Sequence, residues 1–342
     1  MMNKFGKYLK EYLDFCNISE KEFAYRIGTT PKNLSEILSG EIKLSSNMIY
    51  NISFVTDIPV SFIENMERNY LLEKNIEKFL KAKNFPIKEY LKKFSYKELS
   101  EKYKLRYKDK RSEIDILKDI MKFLRISDLN QIYEEEKGIL YKSNNDKPEL
   151  LALWLEECYR LTEKQVINDY NKGCINELVE FILFEAKKNI FDEKALQKEF
   201  NSKGIYLVIV DDLKGSKIRG AFKVLNNKPA IYITKKHKRI ADIYFALLHE
   251  LAHLKSDFNR AKSGGLVSII DKTQEYDYEL KADKTAFNWM ISDKEYEKIK
   301  NNINLLNKSE YPKSFIVYRL ANDKIISYSS KIYQKYNITI NN

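Results

Sequence analysis

The sequence predicts a multidomain protein with an all-α N-terminal region, a helical middle region and an α+β C-terminal region. Apolar residues recur at three- and four-residue steps up to about residue 190, with helix caps and glycine stops between the runs. After residue 190, short runs of β-branched and aromatic residues replace this pattern. The chain has 342 residues, 44% of them hydrophobic, which is enough for two or three cores.

These changes of pattern set the predicted domains at residues 1–70, 71–190 and 191–342. No stretch reaches the roughly 18 uncharged apolar residues that a membrane span needs. The three cysteines, Cys16, Cys158 and Cys174, are far apart in sequence and lie among apolar neighbours, which is typical of free thiols in a reducing compartment. We therefore expect a cytoplasmic protein with no membrane partner.

Residues 1–70 are predicted to form short helices with clear punctuation. Ser19 is a helix N-cap and Gly28 ends that helix, while Thr30 caps the next helix and Gly40 follows its end. Two short helices joined by a tight turn have helix-turn-helix geometry. In that geometry the second helix enters the DNA major groove, with its exposed residues toward the bases.

The segments "ISEKEFAYRIGTTPKNLSEILSGEIKLSSNM" and "IPVSFIENMERNY" resemble the XRE family of lambda-repressor-like domains, and within it the HigA-like antitoxins. The resemblance implies that this domain recognises a DNA operator, as a homodimer. The positions expected to be exposed on the second helix, and to contact DNA, are Thr30, Lys32, Asn33 and Glu36.

The net charge of +11 is concentrated outside this domain. Residues 1–70 hold 8 Lys/Arg against 9 Asp/Glu, whereas residues 71–111 hold 14 against 6. Because phosphate neutralisation usually dominates affinity for DNA, two interpretations stay open. Either the lysine-rich stretch supplies the backbone contacts, or the N-terminal domain docks a protein.

The C-terminal region predicts an α+β domain. "GIYLVIVDDL" and "KPAIYITKK" are typical of strands, and "SKIRGAFKVLNNK" predicts another strand that ends in an Asn-Asn turn. A helix containing "DIYFALLHELAHLKSD" follows, then a loop with "SGG" and a second long helix, "YDYELKADKTAFNWMIS".

Two of the three histidines, His249 and His253, lie four residues apart in the first of these helices. Residues at i and i+4 share a helix face, so both imidazoles can bind one metal ion. Glu250 is rotated away and can reach a water molecule beside the ion, the HExxH arrangement of metal-assisted peptide hydrolysis. The alternative, a chance pair of histidines, is disfavoured by the apolar flanks, because burying unpartnered imidazoles is unfavourable.

A catalytic zinc needs a third protein ligand and one open position. Glu279 in the second helix can be that ligand, and Asp283 on the same face can accept the free N–H of a ligating histidine. This spacing resembles the thermolysin-like gluzincins. The metzincin pattern would need Gly and His where the chain has Ser256 and Asn259.

The segments "RGAFKVLNNKPAIYI", "DIYFALLHELAHLKSD", "IIDKTQEYDYELKADKTAFNWMIS" and "KSFIVYRLANDKIISYSSKIYQKY" together resemble the ImmA/IrrE metallopeptidases. The resemblance covers residues 190–335, and fusion to an XRE domain is a known arrangement in that family. It implies a zincin-like fold, Zn²⁺ as the cofactor, and a protein substrate such as a repressor or antitoxin.

In such a site Glu250 is expected to be the catalytic proton acceptor, with His249, His253 and Glu279 as metal ligands. His237 and several tyrosines are the candidates for stabilising the oxyanion. The predicted strand "KPAIYIT" is the candidate for holding the substrate as an added edge strand.

The sequence thus predicts a regulator that combines operator binding with zinc-dependent proteolysis in a stress, phage or toxin-antitoxin circuit. Two alternatives stay open. One is a HigA-like antitoxin and autorepressor, without enzymatic activity, whose metal site is structural or vestigial. The other is a peptidase whose helix-turn-helix domain docks proteins.

Overall fold

The computed structural model describes residues 4–95, 112–133, 147–236, 238–262, 265–269 and 277–340. These residues are mostly helical, with one mixed four-stranded sheet. None of the helices in this part of the chain is long and apolar enough to cross a membrane.

The chain divides into two compact units. The N-terminal unit comprises Met1–Leu91 and Arg106–Leu129, and the C-terminal unit comprises Lys92–Leu105 and Asn130–Asn342. The predicted boundaries at residues 70 and 190 stay predictions.

The N-terminal unit begins with five helices: α1 Lys4–Phe15, α2 Glu20–Arg26, α3 Pro31–Ser39, α4 Ser46–Thr56 and α5 Val60–Ala82. Their apolar faces meet in one core, whose fully buried members include Phe5, Phe23, Leu34, Ile52 and Ile63. Helix α5 continues through residue 70, and the shorter helices α6 Ile87–Lys93 and α7 Glu113–Leu124 follow it.

The predicted caps fix the ends of α2 and α3. The Ser19 and Thr30 hydroxyls accept hydrogen bonds from the backbone N–H groups three residues on, at 3.2 and 3.1 Å. Gly28 and Gly40 have φ angles of +72° and +78°, a region that glycine adopts without steric strain. The predicted pair of short helices with a turn between them is therefore confirmed.

In the C-terminal unit, three helices precede the sheet: α8 Pro148–Thr162, α9 Ile175–Lys187 and α10 Glu193–Ser202. The four strands are β1 Tyr206–Val210, β2 Ile218–Leu225, β3 Lys228–Thr234 and β4 Leu266–Ile269. Strands β2 and β3 form a hairpin whose turn residues, Asn226 and Asn227, both have positive φ, as a two-residue type I′ turn requires. The predicted Asn-Asn turn is thus confirmed.

The strand order is β1-β3-β2-β4, with β1 parallel to β3 and the other neighbours antiparallel. This order corrects one prediction. Strand β3, the "KPAIYIT" segment, pairs on both sides and therefore cannot accept a substrate as an added strand. The edge position next to β2 belongs to β4, a strand that the sequence analysis treated as loop.

Helix α11, Ile240–Ser256, packs against β2 and β3 and carries the HExxH motif. The helices that follow are α12 Phe258–Lys262, α13 Asp277–Met290, α14 Asp293–Asn301, α15 Lys313–Asn322 and α16 Lys331–Tyr336. At the start of α11, the Ala241 backbone N–H donates to the Asn337 side-chain carbonyl at 2.9 Å, so a residue beyond α16 caps this buried helix. Helix α13 also packs against α11, which brings Glu279 to the histidines.

Candidate metal centre

His249 and His253 lie one turn apart on α11 and are completely buried. Their Nε2 atoms are 3.0 Å apart. Glu279, in the first turn of α13, reaches both rings: its two carboxylate oxygens are each 3.3 Å from one Nε2 atom. The three residues, here called the His-His-Glu cluster, present ligand atoms that all lie within 4.8 Å of one another, so the structure brings the predicted ligands together.

A carboxylate faces the other ring nitrogen of each histidine. His249 Nδ1 lies 2.7 Å from Asp283, the predicted orienting residue, and His253 Nδ1 lies 3.0 Å from Asp257. An ionised carboxylate only accepts hydrogen bonds, so each Nδ1 carries the proton. Asp257 was missed by the sequence analysis, although its position four residues after His253 is a signal that helical spacing offers.

The tautomer with both Nδ1 atoms protonated bears on whether the cluster could hold a cation. When both Nδ1 atoms are protonated, neutral imidazoles direct their Nε2 lone pairs toward each other and toward the Glu279 carboxylate. Lone pairs 3.0 Å apart repel unless a positive charge, either a metal ion or a proton on His253, lies between them. Two imidazoles and a carboxylate, each oriented for binding, are a donor set that zinc accepts.

The pKa values of His253 and Glu279 are shifted by their neighbours in the cluster. Burial lowers the pKa of His253, but the hydrogen bond to Glu279 and the charge of Glu250 outweigh burial and raise the pKa above its usual value. Burial raises the pKa of Glu279, but the two histidines hold it well below its usual range. The first shift favours a positive charge on the imidazole and the second a negative charge on the carboxylate, so the cluster is built to hold a proton or a cation beside Glu279.

Glu250 lies beside the cluster in a different environment. The residue is fully buried, and neither carboxylate oxygen makes a hydrogen bond of ordinary geometry among the described residues, although the Ser268 hydroxyl is close enough to lower the pKa of this group. Burial raises the pKa of Glu250 to about 8. Gly220 on β2 makes room for this side chain, because a Cβ at that position would lie 2.7 Å from Glu250 Oε1.

Ser268 on the edge strand β4 was also missed. Its hydroxyl lies 3.0 Å from His249 Nε2, so the edge strand reaches the metal-binding side of the cluster. A four-residue strand after an "SGG" loop has too few residues for a periodic signal.

Of the candidates for oxyanion stabilisation, His237 lies outside the described residues, and the ring of Tyr278 lies 5.9 Å from the ring of His253.

The candidate DNA-contacting residues, here called the α3 face, lie at the start of α3. Thr30 and Lys32 are exposed, but Asn33 and Glu36 are half-buried, which corrects the expectation that all four are exposed. The Asn33 amide donates to the Thr29 hydroxyl at 2.7 Å, and Lys32 pairs with Glu36 at 3.9 Å. The lysine-rich stretch at 74–111 falls partly outside the described residues.

The chain was compared with protein-family models, with curated proteins and with solved structures. None of the three comparisons gave a match.

Proposed function

We propose that this protein is a zinc-dependent peptidase that cleaves a protein substrate and also binds DNA through its N-terminal unit. One observation carries the proposal. A buried His-His-Glu cluster adjoins a second buried carboxylate, Glu250, which makes no hydrogen bond of ordinary geometry in the described part of the chain and has only the Ser268 hydroxyl acting on it as a donor. A cation site alone does not require this extra carboxylate, whereas hydrolysis requires a base at that position.

His249, His253 and Glu279 would hold the ion, and Asp283 and Asp257 would fix the orientation of the two imidazoles. Zinc bound there lowers the pKa of water toward 7 and polarises a carbonyl group. This ligand set matches zinc better than calcium or magnesium, which prefer oxygen ligands alone.

Glu250 would move the proton. Its carboxylate accepts a proton from the attacking water and passes it to the amine that leaves when the peptide bond breaks. Without a cation, burial raises the pKa of Glu250 to about 8, and a cation held by the His-His-Glu cluster would favour the ionised form that accepts a proton. Gly220 keeps the space in which this carboxyl group lies.

Strand β4 would position the substrate. In the described residues it has a strand neighbour only on the β2 side, so an extended peptide can pair with its other edge. Ser268 ties that strand to His249, which sets the pairing edge beside the cluster.

The regulatory part of the proposal rests on the family resemblances and on the N-terminal helix pair. In this interpretation a homodimer binds an operator through the α3 face, and the peptidase cleaves a repressor or antitoxin. The near-neutral charge of residues 1–70 favours the alternative in which this unit docks a protein. Gel shifts at increasing salt separate the two, because phosphate contacts weaken with salt.

One observation favours a second candidate function, a non-enzymatic antitoxin with a structural metal site. His249, Glu250 and His253 are fully buried, and the Ser268 hydroxyl is next to His249 Nε2. A catalytic zinc keeps one position open, whereas a structural zinc is closed by protein ligands.

The deciding experiment measures zinc content and proteolysis together. We expect about one zinc per chain in the wild type and in Glu250→Gln, and none in His249→Ala. His237→Ala, which removes the remaining histidine, is the matched control and should retain zinc. Cleavage of a protein substrate by the wild type but not by Glu250→Gln supports the peptidase. Full biological function of Glu250→Gln with its zinc retained would support the structural site and overturn the peptidase.

A further inference from the structure

The C-terminal unit contains a cavity that none of the three candidate metal ligands lines. Its volume is about 590 Å³, within the range of small-molecule sites. It lies beside the N-terminal half of α11, where Ala246 contributes to the lining and Glu250 follows one turn later. The cavity is therefore close to the metal centre but separate from the His-His-Glu cluster.

The lining is rich in positive charge. Arg219, Lys236 and Arg239 contribute three cations, and Asp242 is the one acidic residue among the described residues of the lining. The Lys236 ammonium donates to the Ser216 carbonyl and the Arg239 guanidinium to the Asn337 carbonyl, so a bound anion would share these cations with the protein. The Asp242 carboxylate accepts a hydrogen bond from the Asn337 amide at 3.0 Å. A concave surface with excess positive charge raises the local concentration of anions.

The lining of the cavity is also aromatic. Tyr318, Tyr328 and Tyr333 line it, and they offer both flat apolar surfaces and hydroxyl groups. Cations and tyrosines that lie together, as Arg239 does over the Tyr333 ring at 5.5 Å, suit a molecule with an anionic oxygen group and a flat or polar organic body. Arginine in particular matches the planar oxygens of phosphate and carboxylate groups.

A β-bulge places Arg219 between the cavity and the metal centre. Strand β2 pairs with β4 through Ile218 and Gly220, and Arg219 is the extra residue between them. The buried Thr234 hydroxyl donates to the carbonyls of Ile218 and Arg219 at 2.9 and 3.2 Å, which holds the bulge in place. Bulges commonly re-aim a side chain next to a functional site.

From this position Arg219 is linked to a metal ligand. Its guanidinium lies 3.4 Å from Asp283 Oδ1, and the same oxygen lies 2.7 Å from His249 Nδ1. An anion that attracts Arg219 therefore reduces the positive charge that Asp283 experiences. The Asp283 carboxylate then accepts the His249 N–H more strongly, which makes that imidazole a better metal ligand.

We propose that this cavity binds a small organic anion carrying a phosphate or carboxylate group, and that the bound anion strengthens zinc binding through Arg219, Asp283 and His249. The effect on zinc rests on the proposed function of the metal centre, whereas binding of the anion does not. The cavity is thus an effector site for the peptidase.

The test uses the full chain after removal of metal, so that an anion cannot bind to zinc itself. Phenyl phosphate and phenylacetate are titrated calorimetrically, and the tighter of the two identifies the anionic group. Lys236→Gln should weaken binding at least about tenfold, the size expected for one charge-assisted hydrogen bond. Lys235→Gln is the matched control, because Lys235 pairs with Glu193 at 3.3 Å and does not line the cavity.

A second variant, Arg239→Gln, tests the same cavity from the start of α11, and thermal melts establish that each variant folds. The site is overturned if folded wild-type protein binds neither probe at millimolar concentration. It is also overturned if Lys236→Gln and Lys235→Gln bind equally well.

The link to the metal centre is tested by competition with a chromophoric zinc chelator. Saturating anion should tighten zinc binding by about fivefold or more in the wild type. This gain, measured against the same variant without anion, should be lost in Arg219→Gln, which removes the guanidinium beside Asp283. Anion binding that leaves zinc affinity unchanged overturns the link. Absence of zinc binding in any condition contradicts the proposed function instead, and the calorimetric result still decides the cavity.

Discussion

The His-His-Glu cluster and the α3 face are both sets of polar side chains on short helical stretches, but their environments differ. In the cluster, every member is buried and imidazole lone pairs face one another and a carboxylate. On the α3 face, the Thr30 hydroxyl caps its own helix, the Asn33 amide binds Thr29, and Lys32 is 86% exposed.

This difference determines how much function can be inferred from each region. A buried arrangement of imidazole lone pairs and carboxylate oxygens is unfavourable without a compensating proton or cation, so the cluster is a candidate cation site. Exposed or locally bonded side chains are stable in water without any ligand. Side-chain chemistry therefore indicates a candidate cation site in the cluster and no particular ligand for the α3 face, although both regions carry visible sequence motifs.

The largest expected effect comes from Glu250. Glu250→Gln should lower the rate of peptide cleavage about 100- to 10,000-fold, the usual contribution of a general base, because the amide cannot accept the proton of water. Zinc content should stay unchanged, since Glu250 is not among the proposed ligands. Glu185→Gln is the control, because Glu185 is also a buried glutamate but is paired with Lys188. A cleavage rate in Glu250→Gln equal to that of the control would remove Glu250 from the mechanism.

The Glu250→Gln variant should also show how much the buried Glu250 carboxylate lowers the free energy of unfolding. Burial raises the pKa of Glu250 from 4.5 to about 8, so in that pH range the folded chain keeps a proton that the unfolded chain releases. The stability of the wild type therefore falls as pH rises from 4.5 to 8. The amide introduced by Glu250→Gln does not titrate, so between pH 4.5 and pH 8 the variant should gain about 3–5 kcal/mol of stability relative to the wild type.

Denaturant unfolding of the chelator-treated proteins at about pH 5 and about pH 8 measures this difference. If the difference in unfolding free energy between the wild type and Glu250→Gln does not change with pH, the Glu250 carboxyl group titrates normally. Burial would then not distinguish Glu250 from the exposed side chains of the α3 face.

A smaller effect is expected at the residues that orient the imidazoles. Asp257→Asn should weaken zinc binding about 10- to 100-fold, because the amide can no longer fix the His253 tautomer as a carboxylate does. Chelator competition gives the zinc affinity, and Asp277→Asn serves as a control on α13. Unchanged zinc affinity in Asp257→Asn would contradict the assigned tautomer.

The parts of this molecule that the sequence predicts are those determined by local interactions. Ser19, Thr30 and Gly40 act within three or four residues, so their roles are visible in the printed sequence. His249 and His253 share a helix turn, and the chemical need for a third ligand indicates Glu279. The caps and the histidine pair are thus visible as short spacings within or beside one helix, whereas Glu279 is expected from the number of ligands that zinc needs.

The missed features depend on how distant segments pair. The interior position of β3 follows from the parallel strand β1, which no local pattern specifies. Gly220 and Ser268 come together only because β2 pairs with β4, and the bulge at Arg219 is a property of that pairing. The register of β2 against β4 thus places Gly220 over Glu250 and Ser268 beside His249. This register cannot be predicted from the sequence of either strand alone.

The smallest effects are expected on the α3 face, and they separate its structural role from binding. Thr30→Ala should destabilise the N-terminal unit by about 1 kcal/mol, since it removes an N-cap hydrogen bond. Lys32→Ala should leave the midpoint of unfolding unchanged, because its contact with Glu36 is long and exposed. If this helix enters a DNA groove, Lys32→Ala should nevertheless weaken binding and reduce its salt dependence by about one phosphate contact. Lys7→Ala, which removes an exposed lysine of α1, is the control, and DNA affinities that respond equally to both substitutions would indicate nonspecific charge rather than recognition by α3.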